Sequence, residues 1–538
     1  MKWIWSVLIV AITIQLEAVV YKYDVVIYGG NVAGIMAAIQ CAHMGKSVAL
    51  IETGTHVGGM TSGGLGFIDA TDPEIVGGLA HNFFQRLWQY YQDEKNWVWE
   101  PPRWILSQIA KNTDHSNTVW TCEPHVAETV FLQMLNEAQV PIFYEQLNRT
   151  DGVYKNGTNI VRVEMKSGNI FKGDMYIDAT YEGDLMASSG VSYTLGREAN
   201  STYGEENNGI KPNKYMPLRI DPYVIPGDPS SGLLPRIAPD LGGNAGDADE
   251  AIQAYNYRMC LTNEPLNMVS IAQPEGYDEA QYELLFRAIA NLKRQHYFFK
   301  LSSLPNRKVD ANHSGPVSTD YVGMNWDYIE ADDETRQRIA YEHEMWQRGL
   351  VWTLQNHPRI PAKFRDLYSK WGLAKDEFAD NNNWPYQFYV REGRRMLSDY
   401  VITEKSATGK EPTITDSIGL ASYHMDSHAV KYYVDPVSHL VKTEGGIYQK
   451  VPKPFPISYR AVVPKQDQCT NLLVPVCLSA SHVAYGSIRM EPVFMILGQS
   501  AAAAACLALD KQIAVQQVAY EELKAKLLQE KQVLYFHK

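Results

Sequence analysis

The sequence is poor in cysteine and in runs of a single charge. Its 538 residues carry six cysteines, Cys41, Cys122, Cys260, Cys469, Cys477 and Cys506, and no two form a CxxC pair. A zinc ribbon and a thioredoxin-type site are thus unsupported, and the density is far below that of a disulfide scaffold. Cys469 and Cys477 are the nearest pair in sequence. They either join in an oxidising compartment or, like the rest, stay buried as free thiols. No long Lys/Arg run exists, and the balance 49 − 61 = −12 is acidic, which excludes a nucleic-acid groove. Internal repeats are absent, and Ala501–Ala505 is the only low-complexity stretch. Past the N-terminus no apolar run reaches the ~20 residues of a membrane span. What is present is a core-forming composition, 45% hydrophobic and 20% charged, in a chain long enough for two to four structural units.

At the N-terminus, Lys2 precedes an apolar run from Trp3 to Ile14 and then Gln15-Leu16-Glu17-Ala18. This pattern reads as a secretory signal peptide over 1–18, with an uncleaved signal anchor as the alternative. It predicts an exported protein, periplasmic or secreted, with no stable membrane insertion after signal removal. The signal lacks Arg-Arg, so the twin-arginine route for folded proteins is not indicated.

The mature chain opens on a βαβ pattern. Tyr23–Tyr28 is a short apolar run rich in β-branched residues. Gly29-Gly30-Asn31-Val32-Ala33-Gly34 follows, then a small-residue helix from Ile35 to Met44, then Lys46–Ile51 ending in Glu52. In such a unit the helix N-terminus offers free N–H groups and partial positive charge to a diphosphate. Gly29 permits the tight turn, and Gly34 lets helix and strand pack closely. Glu52 stands where a carboxylate accepts from ribose hydroxyls and repels a 2′-phosphate. Asn31 occupies the middle glycine position. It tolerates unusual backbone angles but adds a side chain, so a tilted phosphate approach is expected there. A second glycine-rich segment, Gly58-Gly59-Met60-Thr61-Ser62-Gly63-Gly64-Leu65-Gly66, suits close backbone approach to a bulky cofactor, or else is a surface loop.

Further along, Glu74–Asn136 reads mostly helical around a Trp/Pro-rich stretch, and Pro141–Ala179 reads as short strands. The composition shifts to Gly, Pro and Asn over Gly196–Asp240. Tyr282–Phe299 and Asp333–Asn356 are helical, and Asp416–Arg460 is strand-like. Asn471–Cys477 is a last buried strand, Met490–Leu509 a last buried helix, and Tyr520–Leu528 an amphipathic tail helix.

Asp24–Glu52 with the adjoining GGMTSGGLG resembles the FAD-dependent oxidoreductase superfamily, and more narrowly a bacterial FAD-dependent oxidoreductase family whose members are often labelled xanthan lyase-like. Matching segments are Glu123–Glu128, Ile177–Asp184, Gly196–Glu198, Trp384-Pro385 through Met396, and Ser481–Ala484 through Arg489–Pro492 to Ser500. The resemblance implies FAD and an α/β fold: a Rossmann-like FAD-binding domain of the glutathione-reductase type with an inserted α+β substrate domain. It places the FAD domain at 23–195 and 416–510, the substrate or cap domain at 196–415, and a helical tail at 511–538. It also places the flavin end on the Asn471–Cys477 strand and on the helix start at Arg489, Glu491, Pro492 and Val493, where the helix dipole stabilises reduced flavin. The expected cofactor-binding set is then Gly29, Asn31, Val32, Ala33, Gly34, Glu52, Gly58, Gly59, Met60, Thr61, Ser62 and Gly63 with those four. The resemblance names no substrate.

Flavin chemistry needs a hydride path and a proton acceptor. His482, between the last strand and helix, is one candidate base, or a loop cap. His424 and His428 stand four apart, but without helical periodicity or a clear third ligand no metal is expected; one of them, His428, is a pocket candidate. Arg391, Glu392, Arg394 and Arg395 form a charged cluster. Arg391 and Arg395 would share a helix face and hold a carboxylate or sugar hydroxyls, or else make a solvated ion-paired face. Tyr459 and Arg460 are placed at the same cavity. Trp97, Trp99, Trp104, Trp326 and Trp384 suit stacking on sugar faces, or simply a core. The leading reading is hydride transfer from a small polar substrate, a sugar or glycoside first, to flavin, with an unidentified electron acceptor. A flavin monooxygenase or halogenase, and a non-catalytic glycan-binding module, are the rivals.

Overall fold

The computed structural model describes residues 18–69, 72–102, 117–213, 219–292 and 298–536. All but the last residue of the signal segment, and Trp104, lie outside the described residues.

The opening βαβ unit forms the centre of the first sheet. Strand β1 (Val20–Tyr28) buries Val25–Tyr28, helix α1 (Val32–His43) is buried over most of its length, and β2 (Val48–Glu52) is buried throughout. Such continuous burial is what a parallel strand covered on both faces requires. The other strands are β3 (Ile142–Tyr144), β4 (Val153–Asn156), β5 (Asn159–Glu164) and β6 (Ile170–Asp178), in the order β3-β2-β1-β6-β5-β4. β1 runs parallel to β2 on one side and to β6 on the other, with Val25 opposite both Val48 and Met175. The first half of β6 pairs antiparallel with β5 at Phe171 and Ile170. Its second half takes Leu472 and Leu473, in parallel, from the far end of the chain.

A second sheet, all antiparallel, has the order Met268–Val269, Gly372–Ala374, Met259–Thr262, Lys308–His313, Phe299–Ser303. The 24-residue helix α3 (Asp333–Asn356) falls in the same stretch of chain. Its N-cap is Asp332, whose side chain accepts from the Thr335 N–H.

Several elements differ from the sequence expectation. The predicted strand Asn471–Cys477 pairs only at Leu472–Leu473, because β6 ends at Asp178, one register step further on. Among the described residues of Tyr282–Phe299 the α-helix covers Glu283–Ala290, and Phe299 opens a strand. No helix carries Arg391 and Arg395 on one face: Arg395–Met396 is a strand pinned to Tyr193–Thr194, and the residues before it are irregular. All six cysteines are buried free thiols, Cys469 and Cys477 included.

The C-terminal part returns to the first sheet. Helices α4 (His482–Ile488) and α5 (Glu491–Lys511) follow Leu472–Leu473. By length and composition α5 is long enough to cross a membrane, but 89% of its apolar window is buried inside the fold, against α1 among others. The approach of the two helices is set by Gly498, where an added Cβ would fall 2.1 Å from the Ala33 carbonyl oxygen. Gln499 Nε2 donates to Gln40 Oε1 at 2.8 Å across the same seam. Gly498→Ala should therefore force the helices apart and lower stability by at least about 2 kcal/mol, in the range of core overpacking. Urea unfolding measures this, and an unchanged midpoint would show that the seam tolerates a methyl group.

Candidate cofactor and substrate site

The turn after β1 is built from bare backbone. Gly29 has φ +106° and donates to the Ile51 carbonyl at 2.8 Å. A Cβ on Gly34 would lie 1.8 Å from the Gly29 oxygen, so the helix cannot sit this close with any other residue. At the end of β2, Glu52 is buried and accepts from the N–H of Gly30 (Oε2, 2.8 Å) and of Gly54 (Oε1, 2.6 Å). No cation faces it, and burial pushes its carboxyl up to about 7.

Asn31 departs from expectation. Its backbone is ordinary and extended, with φ −73°, and its Oδ1 accepts from the N–H of Ala33 (3.0 Å) and Gly34 (3.2 Å). The side chain caps α1, and Val32 and Ala33 form the buried first turn. Asn31 thus supplies in its own chain two of the acceptor contacts that a diphosphate makes at a helix start.

The second glycine-rich segment is folded against the first. Gly58 donates to the Gly30 carbonyl at 2.8 Å, and Gly59–Ser62 is a short helix, α2, rather than an open loop. A Cβ on Gly59 would meet Tyr181 Oη at 2.4 Å and Asn31 Cβ at 2.6 Å; one on Gly63 would meet Gln387 Cβ at 2.5 Å. Ser62 Oγ donates to the Val57 carbonyl, holding the turn shut. Nearby, at the carboxyl ends of the parallel strands, a cavity of about 200 Å³ is bordered by Tyr28, Thr53, Gln146, Leu147, Thr180 and Glu182. That edge is where open α/β sheets bind their ligands.

The other end of the site is the start of α5. Glu491 in its first turn accepts from Thr61 Oγ1 (2.8 Å) and Tyr181 Oη (2.9 Å), and the Met60 N–H donates to the same tyrosine oxygen (3.0 Å). Burial pushes Glu491 up to about 7 as well. Pro492 and Val493 complete the turn, where a proline costs no N–H partner. Just before it, Arg489 donates to Tyr389 Oη (3.1 Å) and to Asp426 Oδ2 (2.7 Å).

Arg489 and Met490 border a cavity of about 760 Å³, also walled by Arg258, His313, Asp320, Tyr389, Arg391, Asp426 and His428. Two of the four predicted catalytic residues therefore meet here. His428 Nδ1 lies 2.6 Å from Asp320 Oδ2, and Arg391 Nη2 lies 3.1 Å from Asp320 Oδ1. His428 Nε2 is 3.6 Å from Asp426 Oδ2, and the His313 ring packs on His428 at 4.0 Å between centroids. Although burial pushes the Asp320 carboxyl up, Arg391 and the two histidines hold it well below the usual carboxylate range. Burial, then the neighbouring His428, lowers His313 to about 3, so its ring is neutral. Arg258 is matched by Asp310 in a two-bond pair at 2.8 and 2.6 Å.

The other two predicted catalytic residues stand away from this cavity. Tyr459 is buried and donates to the Val515 carbonyl at 2.7 Å, which ties it to the chain after α5 instead of to a ligand. His482 opens α4; its Nδ1 lies 2.8 Å from Glu392 Oε2, and its buried Nε2 has no hydrogen-bond partner among the described residues. Arg395 joins that group through Glu392 and Glu198. His424 packs on Tyr448, not on His428. The cavity's aromatic residues are tyrosines, including Tyr389, Tyr423, Tyr432 and Tyr448, rather than the expected tryptophans. Sequence reasoning missed Tyr181, His313, Asp320, Tyr389 and Asp426. Tyr181 and Tyr389 lie in segments that carry the resemblance, and Asp426 lies between the paired histidines. His313 and Asp320 have no local signal.

Comparison with known proteins bears on this geometry. The FAD dependent oxidoreductase family model matches residues 24–527. Among curated proteins none matches the chain. Solved structures give distant likenesses. An L-amino acid deaminase from Proteus vulgaris is 17% identical with TM-score 0.22, over 38% of this chain and 56% of that one. An L-proline dehydrogenase from P. horikoshii is 17% identical with TM-score 0.23, over 33% and 59%. A flavin-dependent brominase is 11% identical with TM-score 0.36, over 94% and 84%. The chain thus spans under two thirds of the length of the first two. By the family match, which covers nearly all of its length, this chain belongs to the FAD dependent oxidoreductase family, and its cofactor is FAD.

Proposed function

We propose that the protein oxidises a hydroxyl group of a small, hydroxyl-rich substrate, a sugar or glycoside first, and passes the hydride to FAD. The observation that carries this reading is the 760 Å³ cavity, which joins the start of α5 to the Asp320–His428 pair. Such a volume suits a ligand of mono- or disaccharide size. Arg258, Arg391 and Arg489 each face a carboxylate, so their charge is largely matched within the cavity wall, and the Lys300 ammonium also borders it. The lining offers both donors and acceptors, which a polyol satisfies.

The residues present fit FAD. A bare glycine turn faces a second one, a buried carboxylate without a cation stands at the end of β2, and a polar cluster of Thr61, Tyr181 and Glu491 marks the start of α5. When bound, FAD supplies the hydride acceptor. Glu52 would hold the ribose diol, and the backbone of Gly30, Gly58 and Gly59 would line the diphosphate. Thr61, Glu491, Pro492 and Val493 would hold the flavin end. Arg391 orients Asp320, and the His313–Asp320–His428 cluster takes the substrate hydroxyl and its proton.

The finer architecture belongs to the same reading: a glutathione-reductase-type FAD domain over 23–195 and 416–510, an inserted substrate domain over 196–415 and a tail over 511–538. The antiparallel sheet between Met259 and Ala374, and the return of Leu472–Leu473 to β6, support it. Export through the 1–18 segment, an unidentified electron acceptor and the absence of a nucleic-acid partner complete it. Intact mass of the protein recovered from its host tests the export step by whether residues 1–18 are missing.

Glu52 gives a pH test with a defined sign. In the cofactor-free protein its carboxyl sits near 7, against 4.5 for an ordinary Glu. The folded state therefore binds the proton more tightly than the unfolded one, and stability from this group is lost as pH rises from about 4.5 through 7. The loss amounts to roughly 3 kcal/mol. Glu52→Gln removes it, so urea unfolding of the cofactor-free variant should gain on wild type between pH 5 and 8. At pH 8 the same variant should bind FAD at least about tenfold more weakly, having lost a charged acceptor, as read by quenching of FAD fluorescence. Equal affinity would show that the ribose is held elsewhere.

His428→Gln tests the substrate end. The variant should stay yellow and keep its melting temperature, while anaerobic bleaching of the flavin by a panel of sugars and polyols slows by at least about 10²-fold. His482→Gln, outside the residues that border the cavity, should not reach that figure. If His482→Gln slows bleaching and His428→Gln does not, the proposed site is the wrong one.

A further inference from the structure

We propose that His313, Asp320 and His428 bind one first-row divalent cation, of the Zn²⁺ or Fe²⁺ class, at the wall of the substrate cavity. The inference rests on placing the substrate hydroxyl at this cluster, as argued above. Each of the three residues offers one ligand atom, and those atoms all lie within 4.8 Å of one another. Two imidazoles and one carboxylate form a donor set for first-row transition metals; Mg²⁺ and Ca²⁺ prefer oxygen alone. Three protein ligands leave coordination positions open, as a site that takes a substrate oxygen requires.

The groups behind the cluster are arranged as outer partners of metal ligands are. Asp320 points Oδ2 at His428 Nδ1, at 2.6 Å, while its Oδ1 is held by Arg391 at 3.1 Å. His428 turns its other nitrogen, Nε2, toward Asp426 Oδ2 at 3.6 Å, and Asp426 is fixed in turn by Arg489 at 2.7 Å. A carboxylate facing the second nitrogen of an imidazole fixes which nitrogen carries the proton and leaves the first free to ligate. The 2.6 Å contact with Asp320 is the hydrogen-bonding one, so Nδ1 carries the hydrogen in the metal-free protein and Nε2 is the nitrogen free to ligate. Arg391 likewise holds one carboxylate oxygen and leaves the other for a cation.

His313 supplies an independent observation. Its Nδ1 is buried with no hydrogen-bond partner among the described residues. A buried polar atom left unpaired is costly, so such an atom in a ligand set calls for a partner.

A second cluster of similar composition shows the contrast. Glu123, His125 and Glu377 also bring three ligand atoms together. There the Lys308 ammonium lies 2.8 Å from Glu123 Oε1 and 2.6 Å from Glu377 Oε1, and it occupies the place of a cation. At His313–Asp320–His428 no side-chain ammonium does so.

The test uses the full-length, FAD-loaded protein prepared without an affinity tag or chelator. Elemental analysis should find about one Zn or Fe per chain. After dialysis against EDTA, titration with Zn²⁺ alone should show a single site. His313→Gln and Asp320→Asn should weaken it by at least about tenfold, with flavin absorbance unchanged in both and melting temperature unchanged in His313→Gln. His125→Gln should titrate like wild type. Absence of metal, together with equal Zn²⁺ binding by wild type and both cluster variants, overturns the proposal. So does a chelated protein that sugars still bleach at the full rate, an outcome that leaves the hydroxyl oxidation standing. A cluster-dependent Zn²⁺ site in a protein that no sugar bleaches keeps the cation and overturns the substrate reading.

Discussion

The contact between Gly498 and the Ala33 carbonyl fixes the geometry on which the site depends. α1 and α5 come from opposite ends of the chain, yet they run side by side in the same direction. Ala33 meets Gly498 near one end, and Lys46 pairs with Asp510 near the other. Because Ala33 lies in the first turn of α1 and Gly498 seven residues into α5, the start of α5 reaches about 10 Å beyond that of α1. Asn31 caps one, Glu491 opens the other, and Gly59 and Tyr181 fill the gap between them. Two helix starts offset in this way bring partial positive charge to two ends of one volume. A dinucleotide with a diphosphate in its middle and a ring that gains negative charge on reduction is the ligand class that uses both. A side chain at position 498 would separate the two halves of that volume.

Buried carboxylates in this protein are of two kinds, and their positions divide the site. Glu52 and Glu491 face only neutral donors, and burial drives both up to about 7. Asp320 and Asp426 are buried too, but Arg391, Arg489 and the histidines beside them outweigh burial and keep them ionised. On the proposed reading the first kind would hold hydroxyl-bearing parts of a ligand, since a carboxylate short of donors gains most from an incoming diol. The second kind holds the cavity's arginines in place while cancelling their charge. Paired in this way, the arginines act as fixed hydrogen-bonding walls more than as anion traps.

Much of the cofactor end was legible in the sequence because it is local. Gly29, Gly34 and Glu52 lie within one βαβ unit, so strand and helix periodicity alone bring them into register. The second glycine segment was legible as a position, though not as a short helix. Asn31 was misjudged. Seen as a defective glycine it suggests strain, whereas its Oδ1 makes it a helix cap, a role that residue type favours strongly. The substrate end was legible only in fragments. His428 and Arg391 stood out as residue types, but their partner Asp320 is more than seventy residues from either, and His313 reaches them only because it ends a strand of the second sheet. Tyr459 and His482 are placed near the flavin by their sequence position; in the fold the Val515 carbonyl accepts from the Tyr459 hydroxyl and Glu392 pairs with His482 Nδ1, while His482 Nε2 has no partner among the described residues.

A line of charge connects the two ends. It runs from Arg489, beside the start of α5, through Asp426, His428 and Asp320 to Arg391, at successive separations of 2.7, 3.6, 2.6 and 3.1 Å. Each member is the fixed polar partner of the next, so none reorients without unpairing a neighbour in a medium that screens charge poorly. The residue at the cofactor end of this line stands two positions before the helix start, and the residue at its centre borders the cavity. On the proposed reading, oxidising an alcohol sends a hydride one way and a proton the other, and it succeeds only while both acceptors hold their separation. A chain of polar partners anchored beside the helix start and at Arg391 would meet that condition by rigidity.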